Sequence, residues 1–164
     1  MANPIPNETE LYERIKREQI HIHPLIWDVM YHYLGDYISV INLIASFYIE
    51  QNVPMPLRDA RMILAFTHRI KDVVDKILHP TTILEEDGQL DKIKGKNISL
   101  HPIIKEFFTH YISNDTYGIN LCVSFYLDPL DEQPILVEDV KKILEYTSSM
   151  REFLERLREV TSPD

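Results

Sequence analysis

The sequence predicts an all-α protein: a helical bundle built from two tandem repeats of one helical-hairpin unit, related by a pseudo-two-fold axis. Three observations predict it. The stretch "IHPLIWDVMYHYLGDYISVINLIASFYIE" from Ile22 is written nearly again from Leu100 as "LHPIIKEFFTHYISNDTYGINLCVSFYLD". Apolar residues recur at three- and four-residue spacing, the period of one helix face. Only 4 glycines are present, few for a loop-rich or all-β design.

The repeat extends beyond that stretch. At an offset of 78, residues 12–21 lie over 90–99 and residues 22–56 over 100–134. A two-residue insertion then shifts the offset to 80, and residues 57–77 lie over 137–157. Of the 66 aligned positions, 19 are identical. Self-similarity of this length means one supersecondary unit written twice. The chain is therefore expected to form a single helical domain over 1–164, with one repeat over 12–78, a connector over 79–89 and a second repeat over 90–158.

Each unit opens on His-Pro. Pro24 and Pro102 suit a first helical turn, where the missing N–H costs nothing. That places His23 and His101 at the N-cap, with Ile20, Ile22, Ile98 and Leu100 as apolar residues pinning the start of the helix. Next comes a long segment with an apolar stripe at Ile26, Val29, Met30, Tyr33, Tyr37, Val40, Ile41 and Ile44. Its "LGDY", and "SNDTYG" in the second unit, are helix-stop and cap residues. The segment reads either as one helix of about 40 Å or as two helices joined at a kink near Asp36 and Asp115. "NVPMP" and "DPLDEQP" follow, with prolines that end one helix and start another.

The last helix of the first unit carries Ile63, Phe66, Thr67, Ile70, Val73, Val74 and Ile77 on one face. Its partner keeps the stripe as Ile143, Tyr146, Thr147, Met150, Phe153, Leu154 and Leu157. The connector, with "EEDG", reads as an exposed turn. A lone hairpin cannot bury its stripe. Two copies can, which gives four long helices at the centre.

Composition narrows the function. Seventeen basic against twenty-six acidic side chains leave a net charge of −9, which argues against nucleic acid and against anionic membrane surfaces. The most apolar run, residues 37–49, holds Asn42 and Ser46 and falls short of the roughly 20 residues of a membrane span. "MANPIPNETELYERIK" lacks the apolar core and cleavage pattern of a secretory signal. A single cysteine, Cys122, forms no internal disulfide and suits a reducing, cytoplasmic setting. No cofactor motif is present: P-loop, dinucleotide fingerprint, CxxC, nucleophile elbow and HExxH are all missing from the sequence.

Polar residues kept in both units are His32/His110, Asn42/Asn120, Ser46/Ser124, Asp59/Asp139 and Thr67/Thr147. Asn42 and Ser46, one turn apart among apolar residues, are expected to hydrogen-bond across the bundle or to line a polar pocket. Asp28, His32 and Asp36 fall at i, i+4 and i+8, and Glu106, His110 and Asn114 repeat the pattern. Carboxylate and imidazole on facing helices is how bundle metal sites are built. The spacing is one residue longer than the Glu-x-x-His of di-iron bundles, and pairing on the helix surface is the simpler reading. Metal or small-ligand binding at Asp28, His32, Glu106 and His110 stands as an alternative.

"THRIKD", residues 67–72, resembles the H-R-[VI]-K-N stretch around the phosphorylated histidine of one class of sensor histidine kinases. The likeness is confined to residues 68–72, and Asp72 stands where the family has asparagine. It implies His68 as a phosphoacceptor on a bundle surface. Ser148 occupies the aligned position, so such a site would be single. Without a glycine-rich ATP-binding region the chain could relay phosphate but not take it from ATP.

Trp27 and Tyr31 lie one helical turn apart, where the second unit has Lys105 and Thr109. Aromatics of this kind are enriched at interface hot spots, so the pair is a candidate partner surface. The alternative is an intramolecular cover, for instance by "MANPIPNETELY". The expectation is a small, non-enzymatic, cytoplasmic binding or regulatory protein, adaptor-like. It would act by contact with a protein partner or with a second copy as a homodimer. Phosphate relay through His68, and metal or ligand binding through His32 and His110, are the alternatives.

Overall fold

Most described residues are helical in the computed structural model, which describes residues 8–79, 100–127, 130 and 132–161. Helix α1 (Glu8–Arg17) is followed by α2 (Pro24–Asp28), a π turn (Val29–Leu34), α3 (Gly35–Gln51) and α4 (Leu57–Leu78). The second half holds α5 (Pro102–Phe107), a second π turn (Phe108–Ser113), α6 (Asn114–Tyr126) and α7 (Val137–Val160). No strand occurs among the described residues. One isolated antiparallel bridge joins Met55 to Ile135, each accepting a 2.9 Å hydrogen bond from the other's N–H. Apart from His79, the expected connector over 79–89 and the first ten residues of the second repeat, Ile98 included, lie outside the described residues.

The His-Pro starts form as the sequence predicts. His23 Nδ1 accepts the Leu25 N–H at 3.2 Å, and His101 Nδ1 accepts the Ile103 N–H at 3.2 Å. Each imidazole satisfies a first-turn donor that has no partner within the helix. Both histidines are thereby N-caps. Asn52 ends α3 in the left-handed region at φ 53°, a conformation asparagine tolerates better than most residues.

The long segment is continuous rather than broken. Gly35 and Asn114 both keep right-handed helical angles. Instead of a stop, each segment contains a π turn just before "GD" and "ND". A π turn holds one more residue than an α turn, so the buried face beyond it moves by one position. Ile41 is fully buried as expected, but the positions expected at Tyr33, Tyr37, Val40 and Ile44 give way to Leu34, Ile38 and Ala45, also fully buried, while Tyr33 is 46% exposed. The second unit does the same through Ile104, Phe108, Ile112, Thr116, Ile119 and Val123. Those stripe assignments are corrected, and the wider turn is the reason.

Four long helices close a ring. Helix α3 packs chiefly on α7 and α4 chiefly on α6, while the hairpin pairs α3–α4 and α6–α7 form the other two sides. Helix α1 lies on α7. Inside the ring sit Ile38, Ile41, Ile63, Ile70, Ile119, Ile143, Met150 and Leu157, none with measurable exposure. Each fully buried aliphatic side chain contributes about 1.5–3 kcal/mol. A polar cross-link adds only about 1 kcal/mol, so the apolar ring holds the fold and the polar groups set its details.

Candidate functional site

The repeated asparagines do cross the ring. Asn42 Nδ2 on α3 donates to Thr147 Oγ1 on α7 at 2.9 Å, and Asn120 Nδ2 on α6 donates to Thr67 Oγ1 on α4 at 3.3 Å. Each threonine hydroxyl in turn donates to the carbonyl three residues back, Leu144 at 3.0 Å and Leu64 at 2.6 Å. One hydroxyl thus accepts and donates, which satisfies buried Thr67 and Thr147.

Beyond that shared bond the two seams differ. On the α3–α7 seam, Ser148 lies 3.5 Å from Asn42 Nδ2, and Arg151 donates to Asn42 Oδ1 at 3.4 Å. On the α4–α6 seam Asn120 Oδ1 accepts from Ser124 on its own helix at 3.3 Å. Lys71, aligned with Arg151, makes no such contact among the described residues. A cleft of about 360 Å³ opens there, lined by residues including Thr67, His68, Lys71, Asp75, Tyr117 and Asn120. Thr67, Val74 and Thr116 form its buried floor, and His68, Lys71, Asp75 and Tyr117 its exposed rim. His68 therefore meets Asn120 and Thr67 at one site, three residues from an ammonium group. Among the described residues no carboxylate hydrogen-bonds to its imidazole.

Asp59 and Asp139 hold helix junctions. The Tyr48 hydroxyl donates to Asp59 and the Tyr126 hydroxyl to Asp139, each tying the end of a long helix to the first turn of the next. The tyrosine hydrogen bond holds the Asp139 carboxyl below its ordinary range, and burial with the Asp139 bond lifts the Tyr126 hydroxyl to about 12. A carboxylate in a first helical turn is also favoured by the helix dipole.

Trp27 and Tyr31 are half-buried, with ring centroids 4.6 Å apart. The Tyr31 hydroxyl donates to the Leu154 carbonyl at 2.8 Å, and Arg158 lies over the ring at 5.5 Å. Burial pushes that hydroxyl well above its ordinary range. The end of α7 therefore already engages Tyr31. Lys105, at the position aligned with Trp27, is half-buried as well.

His32 is exposed, while His110 is half-buried with its ring edge-on to Tyr111 at 5.4 Å. Asp28, Glu106 and Ser124 are exposed and Ser46 is half-buried. Among the described residues no group of three or more His, Cys, Asp or Glu side chains is placed to hold a metal ion.

Two features went unread in the sequence. One is a polar niche of about 200 Å³ between α1, α7 and Tyr111. There Arg156 pairs with Glu8 at 2.9 Å and lies 4.5 Å over the Tyr12 ring. The other is a pair of exposed apolar faces: Leu43 and Phe47 on α3, and Tyr117, Leu121 and Phe125 on α6. Leu43 is 71% exposed and Phe125 81%. No charged residue falls within 37–49 or 116–127, so these faces carry no charge of their own. A signal for them existed. Leu43/Leu121 and Phe47/Phe125 are identical in the aligned repeats yet lie off the buried stripe.

Comparison with family models, with curated proteins and with solved structures finds no match to this chain.

Proposed function

We propose that this chain is a non-enzymatic binding or regulatory module, adaptor-like, that acts through protein–protein contact. Its frame is one helical-hairpin unit duplicated about a pseudo-two-fold axis. The duplication is supported by matched details: two histidine caps, two π turns, reciprocal Asn→Thr bonds and two Tyr→Asp bonds. The Met55–Ile135 bridge joins the residue two before the start of α4 to the residue two before the start of α7.

The observation that carries the binding reading is the exposed Leu–Phe pair on each uncharged helix face. Interface cores are depleted of charge and enriched in aromatics, and contiguous exposed apolar surface marks interaction sites. Trp27 and Tyr31 contribute less, since the hydroxyl of Tyr31 is already engaged within the bundle. A cytoplasmic setting fits the single cysteine, whose thiol burial pushes upward and away from reactivity.

The test combines Leu43→Ser, Phe47→Ser, Leu121→Ser and Phe125→Ser in one chain. Exposed positions should tolerate serine, so helicity and melting temperature stay close to the parent. Association measured by sedimentation, and retention of partners in parallel captures with parent and variant baits, should fall together. A variant that melts early but keeps its association and partners would sink the reading.

A second reading, phosphate relay, is favoured by one observation: His68 is exposed on the rim of the cleft beside Lys71. Acetyl phosphate should leave His68 unmodified if the chain is only a binding module. Acid-labile phosphate that disappears in His68→Ala would promote the relay.

A further inference from the structure

The face of α3 has charged ends. Asp36, Ser39, Leu43, Phe47 and Glu50 recur at spacings of three and four, so they share one side of the helix. All five are exposed. Asp36 and Glu50 are 14 residues apart, about 21 Å by the helical rise, and the whole stretch between them is uncharged. An apolar strip is thus closed by a carboxylate at each end. Two arginines on the flanking helices α4 and α7 are engaged elsewhere. Arg69 lies over the Phe66 ring at 5.2 Å, and Arg151 points to Asn42.

Resting on the reading of these faces as interaction surfaces, we propose that the α3 face docks one kind of partner: an amphipathic helix with basic residues about four turns apart. Such a helix lays its apolar side on Leu43 and Phe47 and sets a Lys or Arg against each of Asp36 and Glu50. A second copy of this chain is a poor occupant. Paired antiparallel, α3 sets Asp36 against the other copy's Glu50 at both ends; paired parallel, it sets each acid against itself. Like charges then meet in either direction, and both molecules carry −9. The α6 face differs at its described start, where Asn114 stands in place of Asp36 and Tyr117 in place of Ser39. It is broader, aromatic and neutral there, so it lacks the basic preference of the α3 face.

The experiment uses the full chain and a labelled helical peptide of about 18 residues, with leucines on one face and arginines about 21 Å apart. A matched peptide carries glutamates in place of the arginines. Fluorescence anisotropy should show the basic peptide bound, with binding lost in Leu43→Ser/Phe47→Ser and kept in Leu121→Ser/Phe125→Ser. Asp36→Lys/Glu50→Lys should weaken it about tenfold at low salt and capture the acidic peptide instead. Equal binding of both peptides, or indifference to the charge reversal, overturns the basic partner while leaving the apolar face as an interaction surface. No bound peptide, with a dimer in sedimentation that Leu43→Ser/Phe47→Ser dissolves, overturns it in favour of a second copy. Binding that ignores Leu43 and Phe47 altogether overturns both this inference and its parent reading for α3.

Discussion

Asp115 is a carboxylate placed where burial works against its charge. Desolvation pushes its pKa up to about 6, against which a Ser149 hydrogen bond and the nearby His110 act only partly. Its Oδ2 is buried with no hydrogen-bond partner among the described residues. The folded pKa lies above the unfolded one, so the folded state binds the extra proton. Stability is therefore complete below about pH 4, declines as pH rises to about 6, and is flat beyond. Asp115→Asn should remove that slope and raise stability at pH 7 by about 1–2 kcal/mol, after allowance for partial exposure. Urea titrations of both proteins at several pH values would check it; an unchanged slope would remove Asp115 as the cause. Gly118 shows the opposite constraint, one of space. A Cβ there would lie 2.6–3.0 Å from three ring atoms of Tyr146, closer than packed atoms approach. Gly118→Ala should cost about 1–3 kcal/mol, and adding Tyr146→Leu should return most of it. If the single variant is neutral, the ring turns aside freely.

At the scale of elements, the π turns decide which side chains are inside. Removing one residue from such a turn leaves an ordinary α turn. Deleting exposed Tyr33 would leave Met30, Leu34, Ile38, Ile41, Ala45 and Tyr48 at alternating three- and four-residue spacing, a plain α-helical stripe. That deletion should fold with parental helicity. Deleting Leu43, more exposed but in regular α-helix, rotates the rest of α3 by about 100°. It swings Ala45 and Tyr48 out of the core and should cost about 3 kcal/mol or more. Equal losses in a melting comparison would show that the π turn gives no slack. The same turns explain what could be read beforehand. The stripes of α4 and α7 were legible because nothing interrupts their period, with Phe66, Val73 and Tyr146 only half-buried at the margins. The caps at His23 and His101 were legible because proline fixes where a helix begins. From Tyr33 onward the stripe of the first long segment falls one position off the expected one, since no residue type announces a π turn. Asn42 and Asn120 were legible as polar residues in an apolar run. Their threonine partners and the open cleft beside His68 were not, because those depend on how far apart two seams settle. The Leu43 and Phe47 face was passed over because periodicity marks buried residues and says nothing of a second apolar face.

The whole molecule is held by contacts between its halves more than within them. Helix α3 packs chiefly on α7 and α4 on α6, and the Asn→Thr bonds and the Met55–Ile135 bridge also run from one half to the other. A first half alone would keep the α3–α4 hairpin but expose Ile38, Ile41, Ile63 and Ile70 to water. At about 1.5–3 kcal/mol for each such side chain, the four together lose about 6–12 kcal/mol, as much as the roughly 5–15 kcal/mol that holds a whole domain together. Residues 1–85 and 86–164, made as separate chains, should therefore each show weak helical circular dichroism and no cooperative melt. Mixed in equal amounts they should regain the parental spectrum and elute as a one-to-one complex. Pairing of a half with itself is the competing outcome, since Asn42 of one chain could reach Thr67 of another. The seams have diverged against it: Arg151 fills the α3–α7 seam where Lys71 leaves the α4–α6 seam open, and only the second hairpin has Gly118 beneath Tyr146. Size-exclusion chromatography with light scattering separates the cases. A stable homodimer of either half would show that the divergence of the seams does not dictate pairing. A half that melts cooperatively as a monomer would overturn the account of the bundle as a core completed only when both halves are present.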